Sequence, residues 1–220
     1  MSPERPETEI AMGKEKTPFE KSVFINCPFD EQYFPLLRPL LFTIYYAGLY
    51  PRIALESLDC GKTRIEKIIA LIQETRFAIH DLSRIKSTKS DEYFRMNMPF
   101  ELGLDTGCRL FKGERWQGKK CLILEADHYR YRAALSDISG SDIAVHNDQP
   151  EEVVCVVRNW LTAEAGITLP GPSKIWGAFM EFTAFNYDDL IGKGYSDHDV
   201  KRLPVHELMQ SMKRWVGEMR

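Results

Sequence analysis

From Lys21 onward, short apolar runs alternate with longer stretches in which apolar residues return every three or four positions, the pattern of strands and helices taken in turn. Val23-Phe24-Ile25 predicts a buried strand ending at Asn26-Cys27-Pro28-Phe29-Asp30, followed by a helix from about Glu31 to Tyr46 that Gly48 closes. Tyr50 to Ser57 predicts a second strand. Thr63 to Arg76 carries Ile65, Ile68, Ile69 and Ile72 at helical spacing, and Phe77 to Leu82 predicts a third strand. A Ser/Lys/Asp-rich loop spans Arg84 to Arg95. A helix then starts with Asn97 as its N-cap and runs to about Phe111, Lys120 to Leu124 forms a fourth strand, and Ile143 to His146 a short fifth. Glu151 to Ala165 closes the unit, burying Val153, Val154, Val157, Trp160 and Leu161.

Strands separated by helices imply a mainly parallel sheet covered on both faces and joined by right-handed crossovers. The expected class is therefore α/β, a flavodoxin-like three-layer sandwich with four to five strands. After Leu169-Pro170-Gly171-Pro172 the pattern changes to two apolar stripes. Trp176, Phe179, Met180 and Phe182 make one; Val205, Leu208, Met209, Met212, Trp215 and Val216 make the other. They predict a helical appendage that covers the α/β core or makes a homo-oligomer contact. The expected organisation is a flexible leader at 1–20, an α/β domain at 21–169 and a helical extension at 173–220; the leader rests on the Glu, Pro, Lys and Thr content of its first residues.

In parallel sheets ligands bind beyond the carboxyl ends of the strands. Three suggestive segments map there: the turn from Cys27 to Asp30, the run Asp81-Leu82-Ser83, and Asn97-Met98-Pro99-Phe100-Glu101-Leu102-Gly103. Glu101 is expected in the first turn of its helix, where a carboxylate complements the macrodipole. With Phe100, Leu102 and Leu104 around it, the same carboxylate is expected to be partly buried, which points to a partner or a task.

Composition narrows the function. A formal charge of -3 argues against a dedicated nucleic-acid surface. The basic run Arg109, Lys112, Arg115, Lys119 and Lys120 flanks Gly113 and Gly118 and reads as a solvated loop. Five cysteines, odd in number and widely spaced, read as reduced thiols of a cytoplasmic protein. No run approaches the roughly 20 apolar residues of a membrane helix, so no membrane partner is expected. Gly61-Lys62-Thr63 lacks the earlier glycine of a phosphate loop, and His206-Glu207 lacks the second histidine of a zinc protease, so neither site is expected and no metal is assigned.

Taken together, Cys27-Pro28-Phe29-Asp30, Asp81-Leu82-Ser83 and the Asn97 to Gly103 segment resemble the superfamily that joins nucleoside 2-deoxyribosyltransferases with TIR and TIR-like domains, and more closely its bacterial TIR-like nucleotide-binding branch. The resemblance covers roughly residues 21–165. It implies that Glu101 acts on C1 of a ribose, with Cys27, Pro28, Phe29, Asp30, Arg64, Asp81, Ser83 and Asn97 around the substrate. The implied activity is cleavage of the N-glycosidic bond of NAD or a related nucleotide or nucleoside, by hydrolysis or transfer, in a setting of prokaryotic defence or stress signalling. NAD or the nucleotide is then substrate or ligand, and no separate cofactor is implied. Nicotinamide leaves a cationic ring as a neutral molecule and needs no general acid, whereas a purine would need one, with Asp30 or Asp81 as the candidates. Phe29 or Tyr33 could cover the base, and Arg64 could meet phosphate. The alternative is a non-catalytic module of the same fold that binds a nucleotide signal or docks in an assembly. Homo-oligomerisation through the C-terminal helices is the expected partner relation.

Overall fold

The computed structural model describes residues 18–56, 59–84, 96–128, 135–138 and 140–219. Five strands, β1 (Ser22–Asn26), β2 (Tyr50–Arg52), β3 (Phe77–Asp81), β4 (Lys120–Glu125) and β5 (Ile143–Val145), form one sheet in the order β2-β1-β3-β4-β5 with every pairing parallel. Around it lie α1 (Phe34–Tyr46), α2 (Arg64–Glu74), α3 (Asn97–Phe111), the single-turn α4 (Glu114–Gln117) and α5 (Pro150–Glu164). This is the flavodoxin-like arrangement that the alternating pattern implies, with the order reversing between β1 and β3.

The alternation of side chains along each strand divides the core. Val23, Ile25, Phe77, Ile79, Leu122 and Leu124 face α1 and α5, while Phe24 and Ala78 face α2. α2 begins at a capping box in which the Thr63 hydroxyl accepts from the Glu66 amide and the Glu66 carboxylate accepts from the Thr63 amide. α1 is apolar nearly all round, with Leu36, Leu37 and Leu40 to Ile44 buried. A helix patterned this way needs cover on both sides. One side is the sheet; the other is α6 (Pro172–Gly192) and α8 (Val205–Glu218), linked by the short α7 (Asp197–Lys201). Phe42 sits at the junction, with ring centroids 5.5 Å from Phe179, 5.6 Å from Phe182 and 5.6 Å from Trp215. The C-terminal stripes therefore cover the α/β core and share one hydrophobic cluster with it.

Several expectations need adjustment. Most of the expected leader lies outside the described residues, but Phe19 within it is buried, its carbonyl accepts from the Arg76 amide, and Arg115 lies over its ring at 4.2 Å. The second strand ends at Arg52, after which Ala54–Glu56 turns as a 3-10 helix. The basic loop holds α4, and Lys119 is no solvated cation: it is 3% exposed, donates to the Ile72 carbonyl at 2.9 Å and the Thr75 carbonyl at 2.5 Å, and lies 3.1 Å from Asp105. Gly113, at φ +111°, makes the bend that sends the chain back towards β4.

Candidate functional site

The residues singled out in the sequence meet, with some reassignments, beyond the carboxyl ends of β1 and β3. Cys27 marks the meeting point. Its sulfur is fully buried, and its thiol pKa is pushed well up, first by burial and then by the charges of Asp81, Glu101 and Asp30, with Arg64 pulling the other way. A thiol ringed by carboxylates stays protonated, so Cys27 contributes wall to the site and no nucleophile. Pro28 is buried beside it, and half-buried Phe29 packs against the main core. Asp30 turns the chain into α1 by accepting from the Tyr33 amide through its side chain at 2.9 Å and through its carbonyl at 3.0 Å.

Asp81 sits at the end of β3 without solvent exposure. Burial works to raise its pKa, but the nearby His146, Ser83 and Tyr33 outweigh this and hold the carboxyl below its usual range. The Ser83 amide donates to Oδ1 at 2.8 Å, the Tyr33 hydroxyl donates to Oδ2, and His146 Nε2 lies 3.1 Å from Oδ2. The tautomer of His146 follows from its other nitrogen, where Nδ1 accepts from the Asp148 amide at 3.1 Å, so the hydrogen resides on Nε2, which lies close to Asp81 without the alignment of a hydrogen bond. With the Ser83 amide and the Tyr33 hydroxyl donating to it and His146 beside it, the Asp81 carboxyl is held ionised, which removes it as a candidate general acid.

Tyr33 and His146 are buried members of this cluster that the sequence did not single out together. His146 opens a tight turn in which the Gln149 amide returns to the His146 carbonyl at 2.8 Å, with Asn147 and Asp148 both at φ 52°. Two successive left-handed residues are the signature of a type I′ turn, and Asn and Asp are the side chains that tolerate it best. The Asn-Asp pair after the apolar run Ile143 to Val145 was the available signal.

Replacing Tyr33 with Phe is expected to cost about 1.5 kcal/mol at pH 7, the range for a hydrogen bond to a charged group. Because the folded-state pKa of Asp81 is depressed, the stability it supplies is present above its unfolded value and is lost as pH falls through the folded one. The gap between wild type and Tyr33→Phe should therefore close on acidification, as read from urea midpoints at a series of pH values.

Glu101 projects from α3 on the other side of Cys27. The helix starts one residue earlier than the expected cap: Met96 is the N-cap, Asn97 is the first helical residue and is exposed with no capping hydrogen bond, and Glu101 falls in the second turn. Among the described residues no contact brings Asn97 to the cluster. Glu101 is 3% exposed although its neighbour Phe100 is 58% exposed. Its Oε1 is buried without a hydrogen-bond partner among the described residues, and the nearest cation is Arg64, whose guanidinium lies 3.8 Å away at the start of α2. Burial raises the Glu101 pKa, opposed by Arg64 and His80, and the net direction is upward.

Behind Glu101 a second polar cluster holds α3 to the sheet. Asn26 Nδ2 donates to the Met98 carbonyl at 2.9 Å and faces His80 Nδ1 at 3.0 Å, while His80 Nε2 lies 3.3 Å from Asp105. Burial works against a charge on His80, but Cys121 and Asp105 favour one and push it up to about 9. The Asn26 amide resists the second proton: Nδ1 accepts from Nδ2 as the side chains stand, so full protonation requires that amide to turn. Asp105 is buried, which would raise its pKa, but His80 and Lys119 outweigh burial and keep it ionised. His80, Asp105 and Cys121 are close enough to hold a metal ion. The Lys119 ammonium beside Asp105 already supplies the balancing positive charge there.

Against protein-family models, curated proteins and solved structures the chain shows no significant match.

Proposed function

We propose that this protein cleaves an N-glycosidic bond of NAD or a related nucleotide, with Glu101 as the residue that meets C1 of the ribose. The observation that carries the reading is the buried Glu101 oxygen without a hydrogen-bond partner, at the ligand-binding edge of a parallel sheet and 3.8 Å from Arg64. An unsatisfied buried acceptor costs about 1 to 3 kcal/mol. Such a cost is tolerated where a ligand supplies the missing partner.

The chemistry fits a single carboxylate. Heterolysis leaves the electron pair of the C1–N bond on the departing base and an oxocarbenium-like charge on the sugar, which an adjacent carboxylate stabilises or captures as an ester that water then hydrolyses. Nicotinamide departs neutral from its cationic form without added protons. Since Asp81 is locked as an acceptor and Asp30 caps the turn into α1, a substrate whose base leaves without protonation is favoured over a purine nucleoside. Arg64 restrains the rise in the Glu101 pKa and offers a cation to a substrate phosphate. The likeness of the strand-end and Glu-Leu-Gly segments to TIR-like and deoxyribosyltransferase-like proteins supports the same reading.

The second reading is a module of the same fold that binds a nucleotide signal without turnover. It draws on Asp81, whose carboxylate is held as an acceptor and gives no proton to a leaving base. Chromatography of products after incubation of concentrated protein with NAD, nucleosides and nucleotides separates the two. Nicotinamide or free base from wild type and not from Glu101→Gln supports cleavage. Ligand-induced thermal stabilisation of both proteins without product supports the sensor.

A further inference from the structure

The inner face of α6 is explained by the core, since Ile175, Ala178, Phe179, Phe182, Asn186 and Leu190 are buried. The opposite face is not. Gly177, Met180, Ala184, Tyr187 and Ile191 are all exposed, with Met180 at 50%, Tyr187 at 43% and Ile191 at 39%; the one contact of this stripe within the described residues that bears on it is the Tyr187 hydroxyl, which donates to Asp197 of α7 and fixes the ring with its face still open. Their spacing of three and four residues in strict alternation is the a/d repeat of a helix that packs against another helix. This is a different stripe from the Trp176, Phe179 and Phe182 face, which the core consumes.

We propose that a second copy of this chain packs on this seam, with the two α6 helices antiparallel about a two-fold axis near residue 182. In that register every small residue meets a large one: Gly177 lies opposite Tyr187 of the other copy, Met180 opposite its Ala184, and the two-fold repeats both pairings. Layers that alternate small and large across the seam interdigitate without voids. The flanking charges agree. Antiparallel helices bring Lys174 of one copy beside Asp188 of the other at both ends of the seam. Both side chains are exposed and neither forms an ion pair among the described residues. Glu181 meets its own copy at the centre, the one like-charged pair in the arrangement. A parallel alignment would instead stack Tyr187 on Tyr187 and Gly177 on Gly177, leaving alternate layers crowded and empty.

The seam covers two heptads of one helix, about 21 Å at 1.5 Å per residue. That is a small interface by the standard of stable complexes, so a reversible dimer is expected.

Sedimentation velocity of the full chain over a concentration series tests the proposal. Wild type should show a monomer-dimer equilibrium. Ala184→Glu should abolish it, and Lys174→Glu should weaken it at least tenfold while circular dichroism stays unchanged. The charge-swapped double variant Lys174→Glu/Asp188→Lys should recover the wild-type dissociation constant, which neither a parallel pair nor a contact elsewhere on the surface would do. A wild type that remains monomeric throughout, a dimer indifferent to Ala184→Glu, or a double variant no better than the single one would each overturn it.

Discussion

Glu101→Gln is expected to lower glycosidic turnover by on the order of 10³-fold or more, the scale on which a fixed group aimed at transition-state charge acts, while the melting temperature stays level or rises. The second half of this expectation follows from linkage. The folded-state pKa of Glu101 is raised, so the folded protein holds that proton more tightly than the unfolded chain does. Its favourable contribution is present below the unfolded pKa and disappears as pH rises through the folded one. At neutral pH the ionised carboxylate is thus a destabilising group, and the amide, which has the same shape and no charge, relieves it. Activity should show the complementary profile, with an acid limb placed above the ordinary glutamate value because Glu101 must be ionised to act. Removing the nearby cation in Arg64→Gln should move that limb further up, since Arg64 is the first group opposing the rise. Product assays and melting curves across pH read both effects. Unchanged turnover in Glu101→Gln ends the assignment; a large fall in melting temperature makes the carboxylate structural.

Phe42→Ala is expected to destabilise the whole chain by about 4 kcal/mol, within the range for deleting a buried aromatic ring. Phe42 is fully buried and its ring touches Phe179, Phe182 and Trp215, so the cavity would open between the α/β sheet layer and the C-terminal helices. Because those helices share one cluster with the sheet, the loss should appear as a single shifted urea transition. Two separated transitions would mean that α6 to α8 fold as a unit of their own. Met180→Ala on the exposed side of α6 serves as the contrast, with a change within about 0.5 kcal/mol for dilute protein.

The convergence of Cys27, Asp81 and Glu101 was legible because each follows a strand in a βα unit, and parallel topology then sends all three to the same edge of the sheet. The charge environment was not. Asp81 looked like a free acid at a strand end, and only folding shows it held by Tyr33 from the start of α1 and His146 from beyond β5, residues 48 and 65 positions away in sequence. Lys119 read as a loop cation because the basic residues around it are solvated neighbours in sequence; its burial follows from a docking site made by the end of α2 and by Asp105. Met96 displaced Asn97 as the cap for a related reason. Asn97 is a good capping residue by type, but it takes the first helical position, and the polar contact of that turn is made instead by Asn26 at the end of β1, which donates to the Met98 carbonyl.

By itself the sequence determined the α/β class, the order of its main elements and the sheet edge where its three suggestive segments meet, because strand and helix periodicities and right-handed crossovers are local or topological properties of the chain. Only the tertiary structure decided that Asp81 is locked, that Glu101 is buried with Arg64 as its ion-pair partner, and which face of α6 remains exposed. Those outcomes depend on burial and on contacts between residues far apart in sequence, and no periodicity encodes them.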